Sequence, residues 1–160
     1  YYKMATFAIE SNGRIEKTVI YYNGQQLGGV KEVYLYIDED GTFDSIIQYE
    51  GVDKEIYTKH IFNEYLENVK VVPPSITEEE ARYLQLLEIV SDGEVENTTV
   101  YINEQEQEGI VNLLIHIKAS QKTPGLKKIF SNTRIPDHVE FKAEITYRNE
   151  DGSLDTESIF

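Results

Sequence analysis

The chain contains no cysteine and no tryptophan, a single methionine and only four prolines in 160 residues. Without cysteine there are no disulfides, no thiolate nucleophile and no sulfur-ligated metal. No stretch approaches the run of about 18 apolar residues that a membrane-spanning helix needs. No basic segment followed by an apolar core opens the sequence, so no signal peptide is visible. Positive charge is scarce: 15 Lys and Arg face 29 Asp and Glu, a formal charge of −14. Direct binding to a phosphate backbone needs Lys and Arg to displace counterions, so the balance disfavours nucleic acid and anionic membrane surfaces alike. These absences favour a cytoplasmic protein and leave a secreted, phage or mobile-element origin open.

What is present fits a folded chain. Apolar residues make up 40% and charged residues 28%, with twelve Tyr and six Phe. Large apolar side chains are what offset the entropy of ordering, and disordered segments lack them. At this length one core closes without a staple.

Comparing the sequence with itself is the informative step. Residues 9–38 align without a gap on 89–118, and ten of the thirty pairs are identical, among them Ser11/Ser91, Gly13/Gly93, Thr18/Thr98, Tyr21/Tyr101, Asn23/Asn103 and Gly29/Gly109. Chance supplies about two identities at ordinary residue frequencies. Ser-Asn-Gly and Ser-Asp-Gly are turn sequences that tolerate positive φ. The apolar pairs Val33/Leu113, Leu35/Ile115 and Ile37/Ile117 alternate, as one face of a strand does. A second echo relates the acidic stretch 38–44 to 149–155, with 119–148 read as an insertion containing a loop, a short helix and one more strand.

The resulting fold class is α+β, mostly antiparallel β. Two duplicated β units, 1–72 and 73–160, form one compact domain or two tightly packed halves. Residues 53–69 carry Tyr57, Ile61 and Tyr65 four apart and predict an amphipathic helix that covers the face of Tyr34 and Tyr36. Thr77 through Glu80 reads as a capping box, predicting a short helix near 77–85. Leu126 to Phe130 suggests a helical turn after the Pro124-Gly125 turn.

Candidate site residues are few. Asp38, Asp40 and Asp44, with Asp151 and Asp155, have the spacing of oxygen ligands around a turn, which makes calcium the one cofactor the pattern suggests. Neither stretch fits an EF-hand loop, and Asp and Gly are ordinary turn formers. His60, His116 and His138 do not pair at metal-ligand spacing. No nucleophile elbow and no phosphate-cradling glycine loop is present, so the sequence reads as non-enzymatic. Tyr34, Tyr36 and Tyr49 form a candidate interaction surface, since tyrosine offers contact area at low entropy cost. The leading expectation is a protein–protein interaction or structural module with a basic protein partner or a second copy of itself. Two alternatives stand beside it: an acidic decoy that occupies the nucleic-acid site of a basic partner, and a small-ligand or calcium-binding domain.

Overall fold

The computed structural model describes residues 4–119 and 140–160. The first half of the chain runs β1 (Ala5–Ser11), β2 (Thr18–Tyr22), β3 (Gln25–Gly28), β4 (Val30–Asp38), β5 (Phe43–Glu50), β6 (Ile56–His60) and β7 (Lys70–Val72). One helical turn, α1 (Glu78–Ala81), leads into β8 (Gln85–Ser91), β9 (Thr99–Ile102), β10 (Gln105–Glu106), β11 (Ile110–Lys118), β12 (Glu140–Arg148) and β13 (Leu154–Ser158). Single 3-10 turns, Ile15–Lys17 and Val95–Asn97, precede β2 and β9. The protein is thus mostly antiparallel β with very little helix.

The strands form two sheets. The first has the order β10-β9-β8-β1-β2-β3-β7 and the second β13-β12-β11-β4-β5-β6. Period-two alternation puts one set of side chains from each sheet inside. Phe7, Ile9, Leu87 and Ile89 come from the first sheet and Val33, Leu35, Ile47, Leu113, Ile115 and Ile145 from the second, and together they make one core. Burying a large aliphatic or aromatic side chain contributes about 1.5–3 kcal/mol, so this shared interior is the main stabilising feature.

The two centres of the sandwich obey one rule. β1 pairs with β8 about Ala8 opposite Glu88. β4 pairs with β11 about Leu35 opposite Ile115. In both cases the residues at the centre lie eighty positions apart. Local bonds follow the same spacing. Asn23, at φ 50°, donates its N–H to the Thr6 carbonyl while its Oδ1 accepts from the Thr6 N–H. Asn103, at φ 51°, makes the same two bonds with Leu86. Buried Ser11 and Ser91 each lie 2.7 Å from a threonine, Thr18 and Thr98, and accept from the N–H of Gly13 and Gly93. Across the centre, Glu39 N donates to Val111 O and Ala119 N to Lys31 O, both at 2.9 Å.

β5 and β12 occupy matching places with a wider spacing, ninety-eight positions. Glu50 N donates to Gly29 O and Arg148 N to Gly109 O, both at 2.9 Å. Ile61 N donates to Ser45 O and Ile159 N to Ala143 O. Phe43 meets Phe62 edge-to-face at 5.5 Å, and Phe141 meets Phe160 the same way at 6.0 Å.

Several sequence expectations change here. Residues 53–69 are not an amphipathic helix. Ile56–His60 is an edge strand, Lys54 and Asn68 have positive φ (68° and 56°), and Tyr65 is 85% exposed. The four-residue spacing of Tyr57, Ile61 and Tyr65 is a coincidence, and the Ile-Tyr-Thr run that contains Tyr57 has the β-branched and aromatic side chains that suit a strand. Ile61, Phe62 and Leu66 instead turn into the core. The helix near 77–85 is shorter, ending at Ala81, but its cap is as read: Thr77 Oγ1 accepts from Glu80 N. The acidic stretches are not at matching places either. Residues 38–42 join β4 to β5, whereas 149–153 join β12 to β13. Within the supposed insertion 119–148, β12 is therefore not an extra strand but stands where β5 stands. The helical turn at 126–130, the turn at Pro124-Gly125 and His138 lie outside the described residues.

Candidate interaction face

In β4, Val33, Leu35 and Ile37 point inward, so Tyr34 and Tyr36 must point out. Register then chooses their neighbours. Across β11, His116 lies opposite Tyr34 and Leu114 opposite Tyr36. Across β5, Ile46 lies opposite Tyr34 and Asp44 opposite Tyr36. Tyr34, Tyr36, Ile46, Leu114 and His116 thus form one contiguous patch at the middle of the second sheet. Each is only half-buried. Opposed aromatic and aliphatic side chains of this kind stabilise the sheet by about 0.2–1 kcal/mol per pair. Their outer surfaces are partly exposed. The segment expected to cover them, 53–69, packs on the inner side instead, through Ile61, Phe62 and Leu66.

His116 is held firmly on this face. Its ring meets Tyr34 edge-on at 5.7 Å. Nε2 lies 3.0 Å from Glu32 and Nδ1 2.8 Å from Glu140. Charged groups ring the patch: Asp38, Asp44 and Glu144 join the two histidine partners, against Lys118 and Lys142. The rim is acidic on balance. The Tyr36 hydroxyl is pushed above its ordinary range, first by partial loss of solvent and then by the Asp38 carboxylate.

Tyr49 does not belong to this face. It follows Ser45 and Ile47 on the inner side of β5 and is fully buried. Its ring stacks on Tyr57 at 5.4 Å, and its hydroxyl donates to the Glu67 carbonyl at 2.7 Å. Burial, with the nearby Glu67 charge, pushes that hydroxyl up to about 12.

The acidic turns serve their own backbones. Asp38 Oδ1 accepts from the N–H groups of Asp40 and Thr42, each at 3.0 Å. These bonds, that to Thr42 foremost, hold the carboxyl below the usual range. Asp151 Oδ1 accepts from the N–H and hydroxyl of Ser153, which lowers it likewise. Asp155 accepts from the Asn149 amide at 2.8 Å. Asp40 and Asp44 stay exposed. Among the described residues, no group of three or more His, Asp and Glu is placed to hold a metal ion.

The described residues also form three clefts of note. The largest of the three, about 310 Å³, lies between the first 3-10 turn and α1, with Lys17, Thr18, Glu80 and Tyr83 in its wall. The other two lie at corresponding places. One, of about 240 Å³, is lined by Ile15, Thr18, Ile20 and Val33. Its counterpart, of about 190 Å³, is lined by Val95, Thr98, Val100 and Leu113.

Sequence reasoning found Tyr34 and Tyr36 but missed Ile46 and Leu114 as their neighbours. Alternation marks both as outward; only the register places them beside the tyrosines. Compared with known proteins, the chain matches no family model, no curated protein and no solved structure.

Proposed function

We propose that this protein is a non-catalytic interaction module, formed by internal duplication, whose second sheet presents Tyr34, Tyr36, Ile46 and Leu114 to a basic protein partner. The observation that carries the reading is the half-exposed aromatic and aliphatic patch at the centre of that sheet, with its acidic rim. Aromatic anchors surrounded by polar residues are the usual anatomy of a binding surface. The rim of Glu32, Asp38, Asp44, Glu140 and Glu144 gives the partner's sign.

Duplication is supported by the constant spacing at both sheet centres, by the paired Asn and Ser bonds, and by the matched clefts. It explains the architecture economically: each half contributes β1–β3 or β8–β10 to one sheet and β4–β6 or β11–β13 to the other, and β7 of the first half returns to the first sheet.

The test uses the double variant Tyr34→Ser/Tyr36→Ser. Both side chains are half-exposed, so the fold should survive, checked by an unchanged far-UV spectrum. A cross-linked or co-purified partner bound by the wild-type protein should be lost by the variant, and its capture should weaken as salt rises. Equal capture by both proteins would remove the face from consideration. Light scattering separates a foreign partner from a second copy of the chain.

A further inference from the structure

The sequence contains two Asn-Gly pairs, Asn12-Gly13 and Asn23-Gly24. Glycine has no side chain to shield its nitrogen, so the carboxamide of the asparagine before it is open to attack by that nitrogen. The reaction is intramolecular and waits only on the two groups meeting. The fold holds the two pairs differently. Asn23 is tied to a neighbouring strand: its N–H donates to the Thr6 carbonyl at 2.8 Å and its Oδ1 accepts from the Thr6 N–H at 2.9 Å. Swinging its carboxamide onto Gly24 strips the half-buried Thr6 N–H of its acceptor, which is costly. Asn12 is exposed, and its Oδ1 is tied only within its own turn, to the Arg14 N–H at 3.1 Å. That bond draws negative charge toward Oδ1, where it develops when the carboxamide is attacked. The Gly13 N–H already donates to Ser11 Oγ at 3.0 Å, which polarises it.

The matching turn of the second half carries the product's chemistry. Asp92 stands where Asn12 stands, and the two turns agree bond for bond. The Glu94 N–H donates to Asp92 Oδ1 and the Gly93 N–H to Ser91 Oγ, each at 3.0 Å. The Thr98 hydroxyl donates to the Glu94 carbonyl at 2.7 Å, as the Thr18 hydroxyl does to the Arg14 carbonyl at 2.6 Å. The turn therefore accepts a carboxylate without rearrangement. Asp92 Oδ2 also accepts from Asn97 Nδ2 at 2.9 Å. Asn97 ends its 3-10 turn, and Lys17 ends the corresponding one. Asn12 and Lys17 both line the cleft of about 310 Å³.

We propose that Asn12 is a site of spontaneous deamidation, which places a carboxylate in the wall of that cleft and pairs it with Lys17, while Asn23 is protected by its bonds to Thr6. The Gly13 nitrogen loses its proton to solvent base and attacks Asn12 Cγ. The Cγ–Nδ2 bond breaks, and ammonia leaves with a proton from solvent. One water then opens the succinimide: its oxygen adds to Cγ, the bond from Cγ to the Gly13 nitrogen breaks, and that nitrogen regains its proton. Water adding at the other ring carbonyl gives the iso form, in which the backbone runs through Cγ. The net change is one water consumed and one ammonia released. Oδ1 keeps the Arg14 N–H, and the new oxygen takes the Lys17 ammonium as Asp92 Oδ2 takes the Asn97 amide. A charge-assisted bond of this kind is stronger than the neutral one it copies.

The full chain is incubated at mildly alkaline pH, folded and in urea, and then digested. Peptide masses read the exchange of NH2 for OH at each asparagine, with both aspartate isomers counted. In the folded protein Asn12 should convert about tenfold faster than Asn23 or more, the factor set by the orphaned Thr6 N–H. In urea, where neither carboxamide is held, the two rates should converge. Comparable rates in the folded protein, a difference that persists in urea, or conversion at Asn12 halted by folding would each overturn the proposal. The variant Asn12→Asp reads the product directly. Its melting midpoint should match that of the wild type, and the Lys17 side-chain NMR signals should shift. A lowered midpoint would show that the turn rejects a carboxylate, and unmoved lysine signals would remove the ion pair.

Discussion

Two glycines at matching positions show how little room separates a tolerated from a costly side chain. Gly29 and Gly109 have φ of 73° and 72°, a region where a Cβ costs about 1–2 kcal/mol. A Cβ on Gly109 would meet the Arg148 carbonyl at 3.3 Å, but on Gly29 it would meet the Glu50 carbonyl at 2.7 Å. Backbone oxygen cannot step aside as a side chain can. Gly109→Ala is therefore expected to cost about 1–2 kcal/mol, and Gly29→Ala a further 1–3 kcal/mol or so from overpacking. Urea denaturation of the two variants measures the difference; equal losses would mean that the two turns are not built as described. Tyr49 gives a second prediction. Its hydroxyl, up at about 12 through burial, is raised above the ordinary tyrosine value of 10.0. A raised group contributes stability that is complete below the unfolded value and lost as pH climbs through the folded one. The protein should thus weaken between about pH 10 and pH 12, with Tyr21, raised chiefly by burial and then by its bond to Glu10, acting in the same direction. Tyr49→Phe should cost about 1 kcal/mol at neutral pH through the lost bond to Glu67, and show a shallower alkaline decline. Chemical denaturation at pH 7, 10 and 11 reads both effects.

Among the elements, residues 53–69 carry the clearest lesson about what a sequence displays. Turns were legible because their chemistry is local: Asn-Gly and Asp-Gly announce positive φ wherever they occur. The alternation of β4 and β11 was legible for the same reason, and with it the outward aim of Tyr34 and Tyr36. Helix and strand periods overlap in a short apolar run, however, and Tyr57, Ile61 and Tyr65 satisfied the helical one by accident. Which strand lies beside which is not local at all, so the pairing of β1 with β8, and of Ile46 and Leu114 with the two tyrosines, was hidden. The clustering of tyrosines in that part of the sequence points Tyr49 to the surface, although it shares the inward parity of Ile47. The two readings of 53–69 separate experimentally. A helical stripe would bury Tyr65 with Tyr57 and Ile61. The observed segment exposes Tyr65 and buries Leu66. Leu66→Ala should cost about 2–5 kcal/mol, whereas Tyr65→Ala should stay within about 0.5 kcal/mol of the wild type. Thermal melts of the pair decide it, and a large loss at Tyr65 would restore the helix.

At the scale of the molecule, the halves interleave rather than sit side by side. The longest shared ladders, β1 with β8 and β4 with β11, each join a strand from before Val72 to one from after it. The core is likewise a single cluster drawn from both. Dividing the chain near 72–73 would leave β1 and β4 each with one neighbour instead of two. It would also uncover Leu35 and Ile115, which face each other across the middle. Open strand edges and exposed apolar surface promote association rather than folding. Sequence similarity alone would let either half stand by itself, but the pairing argues the reverse, because each half supplies the other's central neighbour. Residues 1–72 and 73–160 made separately should therefore give poorly dispersed NMR spectra and no cooperative melt. The intact chain should unfold in a single transition, with fluorescence and far-UV signals coinciding. Mixing the two pieces should recover dispersed amides, since each then regains the neighbours it lacks. A half that folds alone and melts cooperatively would show that the shared centre is a contact between two finished units, and the symmetric core would no longer explain the fold.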